Sequence, residues 1–309
     1  LRPSPDGPAV IRTYTLSVAP ADAVYRISVK RDGAASQYLH DRIAVGDRIE
    51  ARAPAGEFTV DANAARPLAL VSAGVGITPM LAMLRHVVFE GLRTRRLRQT
   101  WFLHGARTKA ERAFDKELGE LVHLGQGLIR LVRALSQPEA SAVQGVDYEL
   151  SGRIDTELLK TVLPLNDCDF YLCGPASFTQ GLYDGLRGLQ IGDERIHAEA
   201  FGPSTLVRQV DPGLQVALAP AATEPVRVVF AQSAKEARWT PGSGTLLELA
   251  EASGLAPEFS CRGGTCGTCR VRVLDGQLTY LKRPTAALDP DTGLVCCAVP
   301  AHGPLVLDL

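Results

Sequence analysis

Five of the seven cysteines in this 309-residue chain fall between positions 261 and 297, and their spacing limits what that stretch can become. Cys261, Cys266 and Cys269 form a C-x4-C-x2-C pattern in the run Cys-Arg-Gly-Gly-Thr-Cys-Gly-Thr-Cys, with Cys296 and Cys297 adjacent downstream. This is the spacing of a [2Fe–2S] site, in which two irons bridged by two sulfides need four thiolates. The intervening glycines let the loop wrap closely and turn its N–H groups toward sulfur. Zinc is the alternative, but it favours paired C-x2-4-C hooks, and adjacent Cys296 and Cys297 make a poor second hook. On an extended strand neighbouring side chains face opposite ways, so only one of the pair can meet the cluster.

Residues 226–309 resemble a plant-type ferredoxin domain of β-grasp fold. In that family the last ligand stands in a C-x-A-x-P context, which Cys296, Ala298 and Pro300 match. The resemblance implies a metal site of Cys261, Cys266, Cys269 and Cys296, with Cys297 a neighbour on the other side of the strand.

Charge narrows the function classes. With 33 basic and 34 acidic side chains the formal net charge is −1, which provides no global field for a polyanion or an anionic membrane, so neither nucleic acid nor membrane is expected as a partner. The longest apolar stretch, 68–84, is interrupted by Gly74, Gly76, Thr78 and Pro79, and reads as strand, turn and helix rather than a span. No signal peptide stands at the start, and the crowded cysteines suit a reducing, cytoplasmic compartment.

The pattern along the chain predicts several domains. Short β-type runs at 11–17, 25–30 and 47–51, separated by Pro, Gly and Asp, suggest part of an antiparallel β-barrel over 1–66. Over 67–202, apolar runs at 68–72, 101–104, 128–132, 170–173 and 195–199 alternate with helical periodicity, the mark of an α/β parallel sheet. Thr78 is the expected N-cap of the first of these helices, Pro79 its first residue and Gly91 its stop. Residues 203–225 read as a Pro-rich linker. The α+β unit of 226–309 contains a capping-box signal in Thr245 and Glu248.

Gly74 and Gly76 lie in Ala73-Gly74-Val75-Gly76-Ile77-Thr78-Pro79, after an expected strand and before a helix, where backbone N–H groups can hold a pyrophosphate. It is not the Rossmann fingerprint, because Pro79 stands where the last glycine belongs. A second motif, Leu172-Cys173-Gly174-Pro175, closes a later strand on the edge where such sheets bind ligands. Together the two resemble the nicotinamide-nucleotide domain of the ferredoxin reductase family. The resemblance implies pyrophosphate contacts at Gly74, Gly76, Thr78 and Pro79. It also places Cys173, with Gly174 and Pro175, near the nicotinamide ring, in a catalytic position. Whether the nucleotide is NADH or NADPH stays open: the run 104–109 offers Arg107 and Lys109 to a 2′-phosphate, or forms a solvated loop. The arginines at 93, 95, 96 and 98 read as a solvated face or a dock for an acidic partner.

Arg12-Thr13-Tyr14-Thr15 matches the Arg-x-Tyr-Ser/Thr motif of reductase flavin barrels. A guanidinium pairs with phosphate, a tyrosine ring covers an isoalloxazine face, and the Thr15 hydroxyl can reach flavin N5 or O4, a catalytic position. Lys30 follows, and Gly33 and Ser36 would open a short helix whose N–H groups meet phosphate. Phe201 resembles the family's phenylalanine that approaches the flavin. With all three modules in order, the chain resembles the phthalate dioxygenase reductase family and the reductase part of MOSC-linked proteins. There the Arg-x-Tyr motif lies well inside the barrel, so beginning at residue 12 implies leading strands upstream of Leu1.

The resemblance implies an NAD(P)H-dependent oxidoreductase with flavin (FMN or FAD), NADH or NADPH and a [2Fe–2S] cluster. Electrons from hydride would pass singly to an acceptor protein or domain of the oxygenase kind. Two alternatives stand beside it: a ferredoxin-type electron carrier without flavin, and a C-terminal fragment of a larger MOSC-linked redox protein.

Overall fold

The computed structural model describes residues 12–165, 167–201, 206–209, 219–259, 262–264, 267–281, 284 and 288–309. It divides into two compact units, one drawn from Leu1–Ala51 and Phe58–Gln209, the other from Arg52–Glu57 and Val210–Leu309.

In the first unit the chain runs α1 (Ala34–Arg42), β1 (Leu68–Ala73), α2 (Ile77–Thr94), β2 (Thr100–Ala106), α3 (Asp115–Leu124), β3 (Ile129–Leu135), β4 (Leu150–Ser151), α4 (Thr156–Val162), β5 (Asp169–Gly174), α5 (Ala176–Gly188) and β6 (Ile196–Ala200). The six strands pair in parallel in the order β4-β3-β2-β1-β5-β6. Alternation along β1 explains the layers. Leu68 and Leu70 face one cluster with Met80, Leu84 and Val87 of α2, while Ala69 and Val71 face another with Leu182 and Leu186 of α5. A strand covered on both faces is apolar throughout, as β1 is.

Helix α2 starts differently from expectation. A 3-10 turn over Gly74–Gly76 precedes it, Gly76 is the N-cap, and Thr78 lies inside the helix with its hydroxyl donated back to Val75 O at 3.2 Å. Pro79 is the third residue rather than the first, still within the turn where no intrahelical N–H partner is needed. The helix also passes Gly91 and ends at Thr94, with Arg95 in the left-handed conformation. By length and composition Gly74–Thr94 could cross a membrane, but most of it is buried against the sheet, as a core helix is.

Arg98 does not belong to a solvated face. Its buried guanidinium donates to Arg66 O, Asp61 O and Asp169 Oδ2 at 2.5, 2.8 and 2.5 Å, tying the approach to β1 to the start of β5. Arg98→Leu therefore leaves the half-buried Asp169 carboxylate with only Arg66, at 3.9 Å, and two carbonyls without this donor, and chemical denaturation should show a loss of about 1–3 kcal/mol. An unchanged midpoint would contradict this role.

The three β-type runs before residue 67 form no strands among the described residues. They contribute one isolated antiparallel bridge, Leu16 with Ile27, and Val24, Tyr25, Val45 and Ile49 are exposed. A strand holds its conformation through a ladder partner, and a single bridge supplies almost none. Side chains hold this segment instead: Arg85 of α2 pairs with Asp22 at 2.5 Å and with Glu117 of α3 at 2.6 Å, and Arg26 pairs with Glu117 at 3.0 Å. Arg85 holds the Asp22 carboxyl below its ordinary range.

The second unit comprises β7 (Val226–Phe230), β8 (Lys235–Trp239), α6 (Leu246–Ala252), β9 (Arg270–Tyr280), β10 (Thr292–Leu294) and β11 (Ala298–Leu307). Its mixed sheet runs β10-β9-β11-β7-β8, with β11 parallel to β7 and antiparallel to β9. Thr245 and Glu248 make the expected capping box at the start of α6. Leu246, Leu247 and Ala250 of that helix pack onto Phe230, Trp239 and Leu305.

Much of the expected linker lies outside the described residues, and its described ends are docked. Val207 and Gln209 bond to Gln180 and Tyr183 of α5 and Arg208 pairs with Asp193, while Ala219 O accepts from Thr279 and Ala222 N donates to Pro300 O.

Candidate functional site

Connections after β1 lead toward β2 and β4, whereas β5 and β6 lie on the other side of β1. The sheet therefore changes direction between β1 and β5, where a crevice opens beyond the carboxyl ends of a parallel sheet. Both glycine-bearing motifs end there. A Cβ on Gly76 would lie 2.2 Å from Cys173 O and 2.8 Å from Gly174 N, so the two turns touch backbone to backbone. A Cβ on Gly174 would meet the Phe178 ring at 2.7 Å. Gly74 has φ +55 and open space around it.

Thr78 and Pro79 are buried in the first turn of α2, so they shape the glycine turn rather than offer it side-chain donors. Cys173 is fully buried, its thiol pushed well above the ordinary range by burial and then by the charge of Glu199. It is a neutral filler under the crevice floor, and its carbonyl meets Gly76. Glu199 is Cys173's partner in the β5–β6 register. Glu199 adjoins the Phe201 motif, but no local sequence signal marks it as a site residue. Pro175 caps α5, and Phe201 stands exposed just past β6.

A buried pair lies beneath the ends of β1 and β2. Ser72 Oγ and His104 Nδ1 are 2.9 Å apart. Burial, with help from the charge of Arg112, pushes the His104 pKa down to about 4. The unfolded chain binds a proton near 6.5 that the folded one refuses, so stability is intact above that pH and declines as pH falls from 6.5 toward 4. The loss amounts to about 3 kcal/mol. His104→Gln should flatten this part of the stability curve; a slope identical to that of the parent chain would rule the assignment out.

The flavin-motif residues come from adjacent segments. Arg12, Tyr14 and Thr15 precede the Leu16–Ile27 bridge, with Arg12 exposed and the other two half-buried, and exposed Lys30 follows it. Gly33, at φ +83, is the N-cap of α1. Ser36 is buried and turned inward: its hydroxyl donates to Asp32 O and Gly33 O and accepts from Asp32 N at 2.7 Å. Only backbone N–H groups of that helix start are left for an anion.

In the second unit Cys261 and Cys266 lie outside the described residues. Cys269 and Cys296 are buried, and together with Cys297 they raise the Tyr280 hydroxyl through their charges, behind burial as the main cause. Cys296 and Cys297 occupy a turn between β10 and β11 rather than a strand, so strand alternation does not separate them. What distinguishes Cys297 is its surroundings: its thiol donates to Leu294 O at 3.5 Å, and a Cβ on Gly264 would touch it. Beside Cys269, the buried Thr268 Oγ1 has no partner among the described residues. An orphan hydroxyl next to a soft thiolate donor fits a sulfur-rich group seated there.

Comparison with known proteins identifies two domains along the chain. Residues 70–183 match the oxidoreductase NAD-binding domain, and residues 230–301 match the 2Fe-2S iron-sulfur cluster binding domain. The flavohem-like-FAD/NAD binding domain of nitric oxide dioxygenase from Vibrio cholerae O1 biovar El Tor is 35% identical, with a TM-score of 0.53, covering 62% of this chain and 77% of that one. An intact type IV self-sufficient cytochrome P450 monooxygenase (24% identity, TM-score 0.67, covering 98% of this chain and 35% of that one) shares the fold. So does phthalate dioxygenase reductase (24%, TM-score 0.51, 96% and 83%). A flavohemoprotein of Rhizobium meliloti (strain 1021) is 40% identical over 200 residues, 62% of this chain and 48% of its own length, so the chain spans about half the length of the curated relatives it matches. The chain belongs to the NAD-binding oxidoreductase family, in the form that carries a C-terminal 2Fe-2S iron-sulfur cluster binding domain.

Proposed function

We propose that the chain is an NAD(P)H-dependent flavin iron–sulfur reductase that delivers electrons to an acceptor protein or domain of the oxygenase kind. The observation that carries the reading is the meeting of the Gly74–Gly76 turn with Cys173-Gly174 at the switch point of the sheet, in a chain that also bears a 2Fe-2S-binding domain. In our reading residues 1–66 hold flavin, 67–202 the nucleotide, 203–225 connect, and 226–309 hold the cluster. When bound, flavin takes hydride from a nicotinamide and the [2Fe–2S] centre carries electrons one at a time.

The chain's own part is positioning. Gly74 and Gly76 let a pyrophosphate approach backbone N–H groups, while Thr78 and Pro79 brace that turn. Cys173, Gly174 and Pro175 form the floor beneath the nicotinamide, and Phe201 stands at its edge. Arg12 pairs with flavin phosphate, Tyr14 covers the ring, Thr15 reaches its polar edge, and Lys30 with the Gly33 to Ser36 helix start adds phosphate contacts. Cys261, Cys266, Cys269 and Cys296 bind iron. Such a reductase works in a cytoplasmic setting, where free thiols persist.

The test is an absorbance spectrum of the purified chain, with extracted flavin identified, before and after anaerobic NADH or NADPH. Flavin and cluster bands that bleach with nucleotide support the reading. Cluster bands alone, indifferent to nucleotide, would make the chain a ferredoxin-type carrier. A second reading is that the chain is the electron-supplying part of a longer redox protein, MOSC-linked or otherwise.

A further inference from the structure

The carboxyl end of β2 is where a doubly wound sheet meets the adenosine ribose, and the charge there separates NADH from NADPH: a carboxylate suits a free 2′-hydroxyl, an available cation a 2′-phosphate. The run after β2 carries Arg107, Lys109 and Arg112. In the structure each of the three already has a carboxylate. Arg107 pairs with Glu111 at 2.8 Å, Lys109 with Asp147 at 2.5 Å, and Arg112 with Asp115 at 2.6 Å. Three cations thus face three side-chain partners before a fourth carboxylate is considered.

That fourth is Glu139. The chain beyond β3 runs alongside the end of β2, with Ser136 N donating to Ala106 O at 3.0 Å and Gln137 N to Arg107 O at 2.8 Å. This carries Glu139 over the turn. Its two oxygens accept from the consecutive backbone amides of Lys109 and Ala110, at 2.8 and 3.0 Å. Consecutive amides turned the same way are an anion seat. Those hydrogen bonds hold the carboxyl at about 2, so it is charged at any pH at which the protein works.

Resting on the reductase reading, we infer that the chain selects NADH over NADPH, and that Glu139 is the specificity-determining residue because its carboxylate occupies the anion seat after β2 that a 2′-phosphate would need. Glu111 and Asp147 reinforce it by keeping Arg107 and Lys109 engaged. Because a 2′-phosphate brings about two negative charges to a loop already bearing one carboxylate more than it has cations, it meets repulsion there.

Binding of ADP and of 2′,5′-ADP, measured by calorimetry on the purified chain, tests this without flavin or turnover. The parent chain should bind ADP at least about tenfold more tightly than 2′,5′-ADP, and Glu139→Gln should narrow that ratio to about twofold or less while ADP affinity holds. Glu139→Asp, which keeps the charge, should retain the discrimination. Tighter binding of 2′,5′-ADP by the parent chain, or an unchanged ratio in Glu139→Gln, overturns the inference and leaves the reductase reading intact. Binding of neither nucleotide removes the site, and with it both.

Discussion

Gly76→Ala should lower NADH- or NADPH-driven reduction by at least about 100-fold, because displacement of a positioning turn by an ångström has that effect on a transfer between held partners. The added methyl has nowhere to go. It would lie 2.2 Å from Cys173 O and 2.5 Å from Cys173 C, both backbone atoms fixed in the middle of the sheet. Either α2 moves away from β5 or the Cys173-Gly174 turn is pushed into the crevice. Stability should fall as well, by about 1–3 kcal/mol as in other overpacked interiors. Gly74→Ala is the comparison: its surroundings are open, and only the left-handed φ of +55 is penalised, by about 1 kcal/mol. Thermal unfolding separates the two contributions, since a Gly76→Ala chain that melts within a few degrees of the parent yet fails to accept electrons shows misplacement rather than collapse. Equal activity in the two alanine variants would contradict the close contact.

The Gly76 contact also marks how far the sequence could be read. Both halves of it were legible separately, because glycines between a strand and a helix, and Cys-Gly-Pro after another strand, are local signals. Their mutual contact was not, since it depends on β5 inserting beside β1 rather than beyond β3. For the same reason the alternating apolar runs revealed the parallel sheet, whereas the β-type runs before residue 67 form no strands among the described residues: periodicity reports a face, and pairing needs a partner. Ser36 and Cys173 have the expected places but their side chains are turned inward, held by Asp32 and Gly33 in one case and by the core of α2 in the other. Arg98 and Glu139 were illegible because their partners are tens of residues away along the chain.

Cys269→Ala should remove the [2Fe–2S] absorbance and lower cytochrome c reduction by at least about 100-fold, while reduction of ferricyanide, which accepts directly from flavin, changes little. Cys269 is buried in the core that also includes Leu294 and Cys296, so the variant should cost some stability even without iron. Cys297→Ser is the informative control. Its thiol donates to Leu294 O and its sulfur lies where a Cβ on Gly264 would meet it, and a serine hydroxyl can make the same bond. The cluster should therefore survive in Cys297→Ser and be lost in Cys296→Ser. The reverse pattern would move the fourth ligand by one residue.

The place of β11 in its sheet sets the order in which this unit can be made. Every other strand of the unit precedes β11 in the chain, yet β11 lies in the middle, between β9 and β7, with Val228 of β7 beside Leu305. During synthesis β7, β8, β9 and β10 emerge as two separate antiparallel pairs with a missing centre. Cys296 leaves the ribosome immediately ahead of the strand that joins them. The keystone strand is thus the last of the five to be made, and the two pairs join into one sheet only through a non-local pairing, the kind that forms slowly.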